Sequence, residues 1–134
     1  MLTVFLIPAL LCIAFWGCEK EDSKQLPVLS TIAASEITSV SAKTGGNITS
    51  SGGDEIVSRG VVWSTTENPT LEQNQGLLSS GSGTGIFTLT ITTLTPSTTY
   101  YVKAFASNVV GTSYGNQVSF TTEEIPVFPP TVTT

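Results

Sequence analysis

The chain has 134 residues, ten acids against five bases, no histidine and two cysteines, for a formal net charge of −5. That length carries one ordinary domain. The balance excludes a basic nucleic-acid binder, a transmembrane bundle and a long coiled coil, which need Lys/Arg surfaces, repeated apolar runs or charged heptads.

Residues 1–17 form one apolar run broken only by Thr3, Pro8 and Gly17, and the charged Glu19-Lys20-Glu21-Asp22 follows at once. About a quarter of all apolar residues lie in this run, so what remains is rich in Ser and Thr and poor in charge. A spanning helix needs roughly 20 apolar residues, so a shorter run with an internal proline reads as a cleaved export leader rather than an anchor. Gly17-Cys18 at its end resembles the lipobox of bacterial lipoproteins. The resemblance implies that Cys18 is acylated and becomes the first residue of the mature chain. The run departs from that pattern in having no basic residue before it and in the bulky Phe15 and Trp16. A leader without lipidation, with an incidental Cys18, is the plain alternative. More than one acyl chain on the cysteine would make a stable anchor. The tetrad Glu19-Lys20-Glu21-Asp22 resembles the export tag of Bacteroidetes surface lipoproteins, although any solvated tether reads the same way. Together these resemblances imply a bacterial envelope protein, at the outer membrane or cell surface, whose membrane partner is reached through the lipid. Cys12 falls in the leader, so Cys18 stands alone and no internal disulfide forms.

Residues 18–27 read as an acidic tether closed by Pro27. From Val28 onward, short Thr/Val/Ile/aromatic segments alternate with Gly, Asn, Ser and Pro clusters at spacings of about 10 residues, the pattern of an antiparallel sandwich. Seven strands are predicted. The first spans Val28–Val40 in two pieces around Ala34-Ser35, the second Ala42–Thr49, and the third Glu55–Ser64. Thr70–Leu78 is an edge strand or an irregular crossing, and Ser79–Gly85 a flexible loop. Ile86–Leu94 follows with Phe87, Leu89 and Ile91 on the core face. The last two are Thr99–Ser107 and Ser113–Thr122.

The stretch Leu94-Thr95-Pro96-Ser97-Thr98-Thr99-Tyr100-Tyr101-Val102, with its alternating small residues to Asn108 and Gly111, resembles the E–F corner and F strand of a fibronectin type III domain. With Arg59–Ser64 and Val118–Thr122 the correspondence covers residues 42–122 and is closest to the repeats of Bacteroidetes surface proteins. It implies an all-β, immunoglobulin-like sandwich over residues 28–122. The family's usual Trp lies on the second strand, whereas here Trp63 lies on the third. Leu94, Pro96 and Tyr100 are the predicted structural corner, with the Tyr100 hydroxyl bonding back to the chain just upstream. Tyr100 inward sends Val102, Ala104 and Ala106 inward and Tyr101, Lys103 and Phe105 outward.

Chemistry is scarce. The lack of histidine removes Ser–His and Cys–His pairs and imidazole metal ligands. Outside the tether and Glu123-Glu124, the acids Glu36, Asp54, Glu55, Glu67 and Glu72 are scattered, so no glycosidase pair is indicated. Gly53-Asp54-Glu55 offers too few oxygens for Ca²⁺, and Gly81–Gly85 lacks the lysine and helix of a phosphate loop. No catalytic residue, metal or cofactor is expected. One ligand surface is: if Arg59 and Trp63 share the outer face with Tyr101 and Phe105, the four could stack on a glycan or seat a protein. A buried Trp63, or residues 65–78 folded over that face, would leave no such surface.

Residues 123–134 form a Pro-rich linker, in which Pro130–Thr134 echoes Pro27–Thr31 as the start of a second repeat would, with a frayed polar tail as the plain alternative. The sequence therefore points to a non-catalytic lipid-anchored spacer or adhesion module. A carbohydrate- or protein-binding module and an auxiliary piece of a larger secreted enzyme are the alternatives.

Overall fold

A computed structural model of the chain describes residues 23–127. The leader, Cys18, the charged tetrad and the terminal echo lie outside the described residues. Eight strands form: β1 (Val28–Ser35), β2 (Ala42–Ser50), β3 (Ser58–Ser64), β4 (Gly76–Ser79), β5 (Gly85–Ile91), β6 (Thr99–Ser107), β7 (Thr112–Tyr114) and β8 (Val118–Thr121). One antiparallel sheet has the order β1-β2-β5. The other runs β4-β3-β6-β7, with β8 also paired to β6. The count is eight rather than seven because the last predicted strand is split in two.

β1 stops earlier than the sequence pattern suggests. Glu36 takes a left-handed φ of 47°. The Thr38 hydroxyl then accepts hydrogen bonds from the backbone N–H of Val40 and Ser41, so this stretch is a side-chain-held turn, not a strand. Residues 70–78 combine both readings: a turn closed by Thr70 N–H donating to the Gln73 carbonyl, then the short edge strand β4.

Alternation supplies the core. Ala42, Ile48, Phe87 and Ile91 from the first sheet meet Val61, Val102, Ala104, Ala106, Tyr100 and Phe120 from the second, with Ile56 and Leu94 closing the ends. The layers approach closely at Gly46. A β-carbon there would stand 2.7 Å from the Ala104 β-carbon and 2.9 Å from the Phe87 ring. At this point β2 has a bare backbone, and the Phe87 ring from β5 lies against it.

The split between β7 and β8 has a polar cause. At Gly115 the chain leaves the ladder, and the buried Ala104 N–H donates instead to the hydroxyl of Thr31, across the sandwich on β1, at 3.0 Å. The Ala104 carbonyl keeps a bond from Gly115 N–H, and Asn116 Oδ1 accepts from Thr31 N–H at 2.9 Å. Space at Gly115 is essential, since a β-carbon would stand 2.6 Å from the Thr31 hydroxyl. One buried side chain therefore ties β1, β6 and the β7–β8 break together.

Replacing Thr31 by the equally large Val leaves the Ala104 N–H without a partner inside the core. Thr31→Val is expected to lower stability by about 1–3 kcal/mol, measured as a shift of the urea midpoint with an unchanged slope.

Candidate functional site

The predicted corner is a set of hydrogen bonds at one end of the sandwich. The Tyr100 hydroxyl accepts from Thr95 N–H at 2.9 Å, and its ring stacks on Phe120 with centroids 5.8 Å apart. The Thr122 hydroxyl donates to the Thr95 carbonyl and accepts from Thr98 N–H. Leu94 is buried and Pro96 half-buried beside them. The corner is structural: its groups satisfy one another.

Trp63, Arg59, Tyr101 and Phe105 do not share a face. On β3 the residues Arg59, Val61 and Trp63 pair with Ala106, Ala104 and Val102, the inward residues of β6, whereas Phe105 pairs with Gly60 and Tyr101 with Ser64. The cause is a slip at Val57. Ile56 is in the core, yet so is Val61, an odd number of residues later, which a regular strand forbids. The chain is not strand at Val57, and the alternation restarts at Ser58 in the other phase. Trp63 is half-buried against the core, its ring over Gly76 of β4. Arg59 spans the open edge of the sandwich. Its Nε donates to the Ser80 carbonyl at 3.0 Å and its Nη1 to the Gly83 and Thr84 carbonyls at 3.1 Å. Its guanidinium carbon lies 4.9 Å from the centre of the Phe87 ring.

Phe105 faces outward from the sheet but is only 3% exposed. Its ring lies against Gly60, and residues 65–75 are drawn over this side. Leu71 N–H donates to the Tyr114 hydroxyl at 2.9 Å, Asn68 N–H donates to the Gln117 side chain, and Pro69 is fully buried. The outer face therefore holds a second small apolar layer of Val62, Phe105 and Pro69 under a loop. Tyr101 is half-buried, and Lys103 lies 5.9 Å from the Tyr114 ring centre. Tyr114 was not singled out from the sequence, where nothing marks it as the pin of a loop more than forty residues away.

The opposite end from the corner gathers the chemistry that exists. Asn108, 6% exposed, is its hub. Its Nδ2 donates to the Gln25 and Ser51 carbonyls at 2.7 and 2.8 Å, and its Oδ1 accepts from Val110 and Gly111 N–H. Gln25 N–H donates to the Gly52 carbonyl, so the segment read as tether joins the sandwich before Pro27. The Asn-x-x-Gly spacing is a legible signal for the turn, but not for the two distant carbonyls. Beside this hub, residues 51–56 and 82–84 enclose an open groove of about 470 Å³. It unites Gly53-Asp54-Glu55 with the glycine-serine loop. Asp54 Oδ2 is 3.1 Å from Lys24 Nζ. That hydrogen bond, helped by the Glu55 N–H, holds the carboxyl below the ordinary aspartate value of 3.8. Among the described residues no three of His, Cys, Asp and Glu come together to hold a metal ion. The groove offers peptide groups, hydroxyls and carboxylates.

No protein-family model matches the chain, and no curated protein matches it. Solved structures do. The sensor domain of the anti-sigma factor RsgI4 of Pseudobacteroides cellulosolvens is 23% identical, with a TM-score of 0.56, over 77% of this chain and 100% of that one. The sixth fibronectin type III domain of human fibronectin type III domain containing protein 3 is 19% identical, with a TM-score of 0.58, over 81% and 97%. The fold is a fibronectin type III-like sandwich. A computationally redesigned β sandwich, 22% identical with a TM-score of 0.53 over 76% of this chain and 98% of its own, shares it. At such identities the likeness speaks for architecture alone.

Two measurements check this end of the molecule. Asn108→Ala removes a buried side chain with four bonds and is expected to cost on the order of 2 kcal/mol, with faster amide exchange at Val110 and Gly111. The Asp54 carboxyl, followed by NMR, is expected to titrate below 3.8 and to move up towards that value in Lys24→Ala. Because the folded value is the lower one, the contribution of the pair is present above the unfolded value and is lost as pH falls through the folded one.

Proposed function

We propose that this is a lipid-anchored protein of the bacterial cell envelope whose fibronectin type III-like sandwich acts as a spacer or adhesion module without catalysis of its own. The observation that carries the reading is Gly17-Cys18 at the end of an apolar run, followed by a short charged segment and then a folded domain bonded from Lys24 and Gln25 onward. The chemistry agrees. Histidine is absent from the sequence, the carboxylate best placed in the groove is engaged by Lys24, and Ser and Thr hydroxyls dominate the polar surface.

Binding or sensing is the second reading. It is favoured by the groove between residues 51–56 and 82–84 and by likeness, over the whole of that chain, to a domain described as the sensor of an anti-sigma factor. The aromatic ligand face is not part of it, because Trp63 and Arg59 point into the sandwich while Phe105 is covered.

Metabolic labelling with a fatty-acid analogue tests the anchor. The wild type is expected to take up label and fractionate with membranes, and Cys18→Ala to lose both. Equal label in the two proteins would overturn the reading.

A further inference from the structure

Exposed strand edges are templates for pairing, and soluble domains blunt them with bulges, short strands, charges or cover. Three of the four edges here are blunted. β1 carries two register shifts against β2, β4 is only four residues long, and the β7–β8 edge is interrupted at residues 115–117. The fourth, β5, is not. Gly85-Ile86-Phe87-Thr88-Leu89-Thr90-Ile91 pairs with β2 in unbroken register over seven residues. It has no charge, no proline and no bulge. Among the described residues no turn, loop or side chain bonds to its free side.

The side chains of β5 leave the edge unfinished as well. Ile86 is 68% exposed, and Leu89, on the core face, is only half-buried. We propose that β5 is a self-association edge, where two copies of this chain pair antiparallel through residues 85–91 and join their sheets. Full overlap of a seven-residue strand with itself puts the two-fold axis at Thr88, the middle residue. Thr88 then faces Thr88, Ile86 faces Thr90, and Phe87 faces Leu89 of the second copy, which covers the half-buried Leu89. Gly85 faces Ile91 at the two ends, the Thr88 pair is one that sheets favour, and no like charges meet. A second copy fits better than a charged partner strand, since β5 offers no charge to recognise one. A single strand pair buries less than the roughly 1,200 Å² of a standard stable interface, so the dimer is weak and concentration-dependent.

Thr88 is exposed and its cross-strand neighbour in the monomer is Gly45, so a long side chain is accommodated without loss of fold. Sedimentation equilibrium of the full chain in neutral detergent, over about a hundredfold range of concentration, is expected to show a monomer–dimer equilibrium. Thr88→Lys and Thr88→Glu, each placing like charges across the axis, are expected to weaken it at least about tenfold while leaving the thermal midpoint of the monomer unchanged. An equimolar mixture of the two variants is expected to dimerise again as a heterodimer. A wild type that stays monomeric throughout the range would overturn the proposal, and so would a dimer insensitive to either charge or a mixture that fails to recover.

Discussion

The closeness of the two layers at Gly46 and Ala104 is the constraint to which the rest of the structure is adjusted. With so little side chain between them, the sheets approach until backbone groups of one lie within reach of side chains of the other. Thr31 can then place its hydroxyl on the Ala104 N–H, and the last strand opens at Gly115 to admit it. The Phe87 ring lies against the bare Gly46 backbone, and the Arg59 guanidinium lies over the same ring. A larger residue at either contact would separate the layers and strand the polar groups that now satisfy each other.

Much of this was legible in the residues. Phe87 and Ile91 alternate with Thr88 and Thr90, and a strand that alternates large apolar residues with threonines buries the apolar set, so the core face of β5 reads directly. The corner reads as well, because Pro96 and Tyr100 act over a span of a few residues. The third strand does not. Ile56, Val57, Val61, Val62 and Trp63 put apolar groups in both alternating sets, and the slip at Val57 that decides between them leaves no mark in composition. Phe105 reads as outward, which it is, but its 3% exposure does not read from its own strand, because the loop drawn over that side and tied to Tyr114 through Leu71 lies more than thirty residues earlier. In the sequence Arg59 is a lone charge beside apolar residues, the pattern of a ligand contact. Its partners are three peptide carbonyls, and no sequence pattern reports a carbonyl.

What the molecule presents to its surroundings follows from this packing. Phe87, Tyr100, Phe105 and Phe120 are buried, and the surface of the described residues mixes hydroxyls and amides with single exposed aliphatic side chains and few charges. Scattered single apolar side chains are ordinary on a protein surface, so the unpaired backbone of a strand edge stands out against them. The two ends differ in kind. The corner end is closed upon itself, while the end at Asn108 carries the groove, the glycine-rich loop and the incoming chain.

That arrangement has a mechanical side. The chain enters at the Asn108 end, beside Gln25 and Gly52, and leaves past Thr121, which pairs with Thr99 near the corner at the other end. Tension between the two termini therefore runs along the strands, at right angles to the ladder bonds of β1 on β2 and β8 on β6. Those bonds must be sheared together instead of unzipped in turn, and the Asn108 amide is among the first to bear the load. A domain wired in this direction transmits force before it yields.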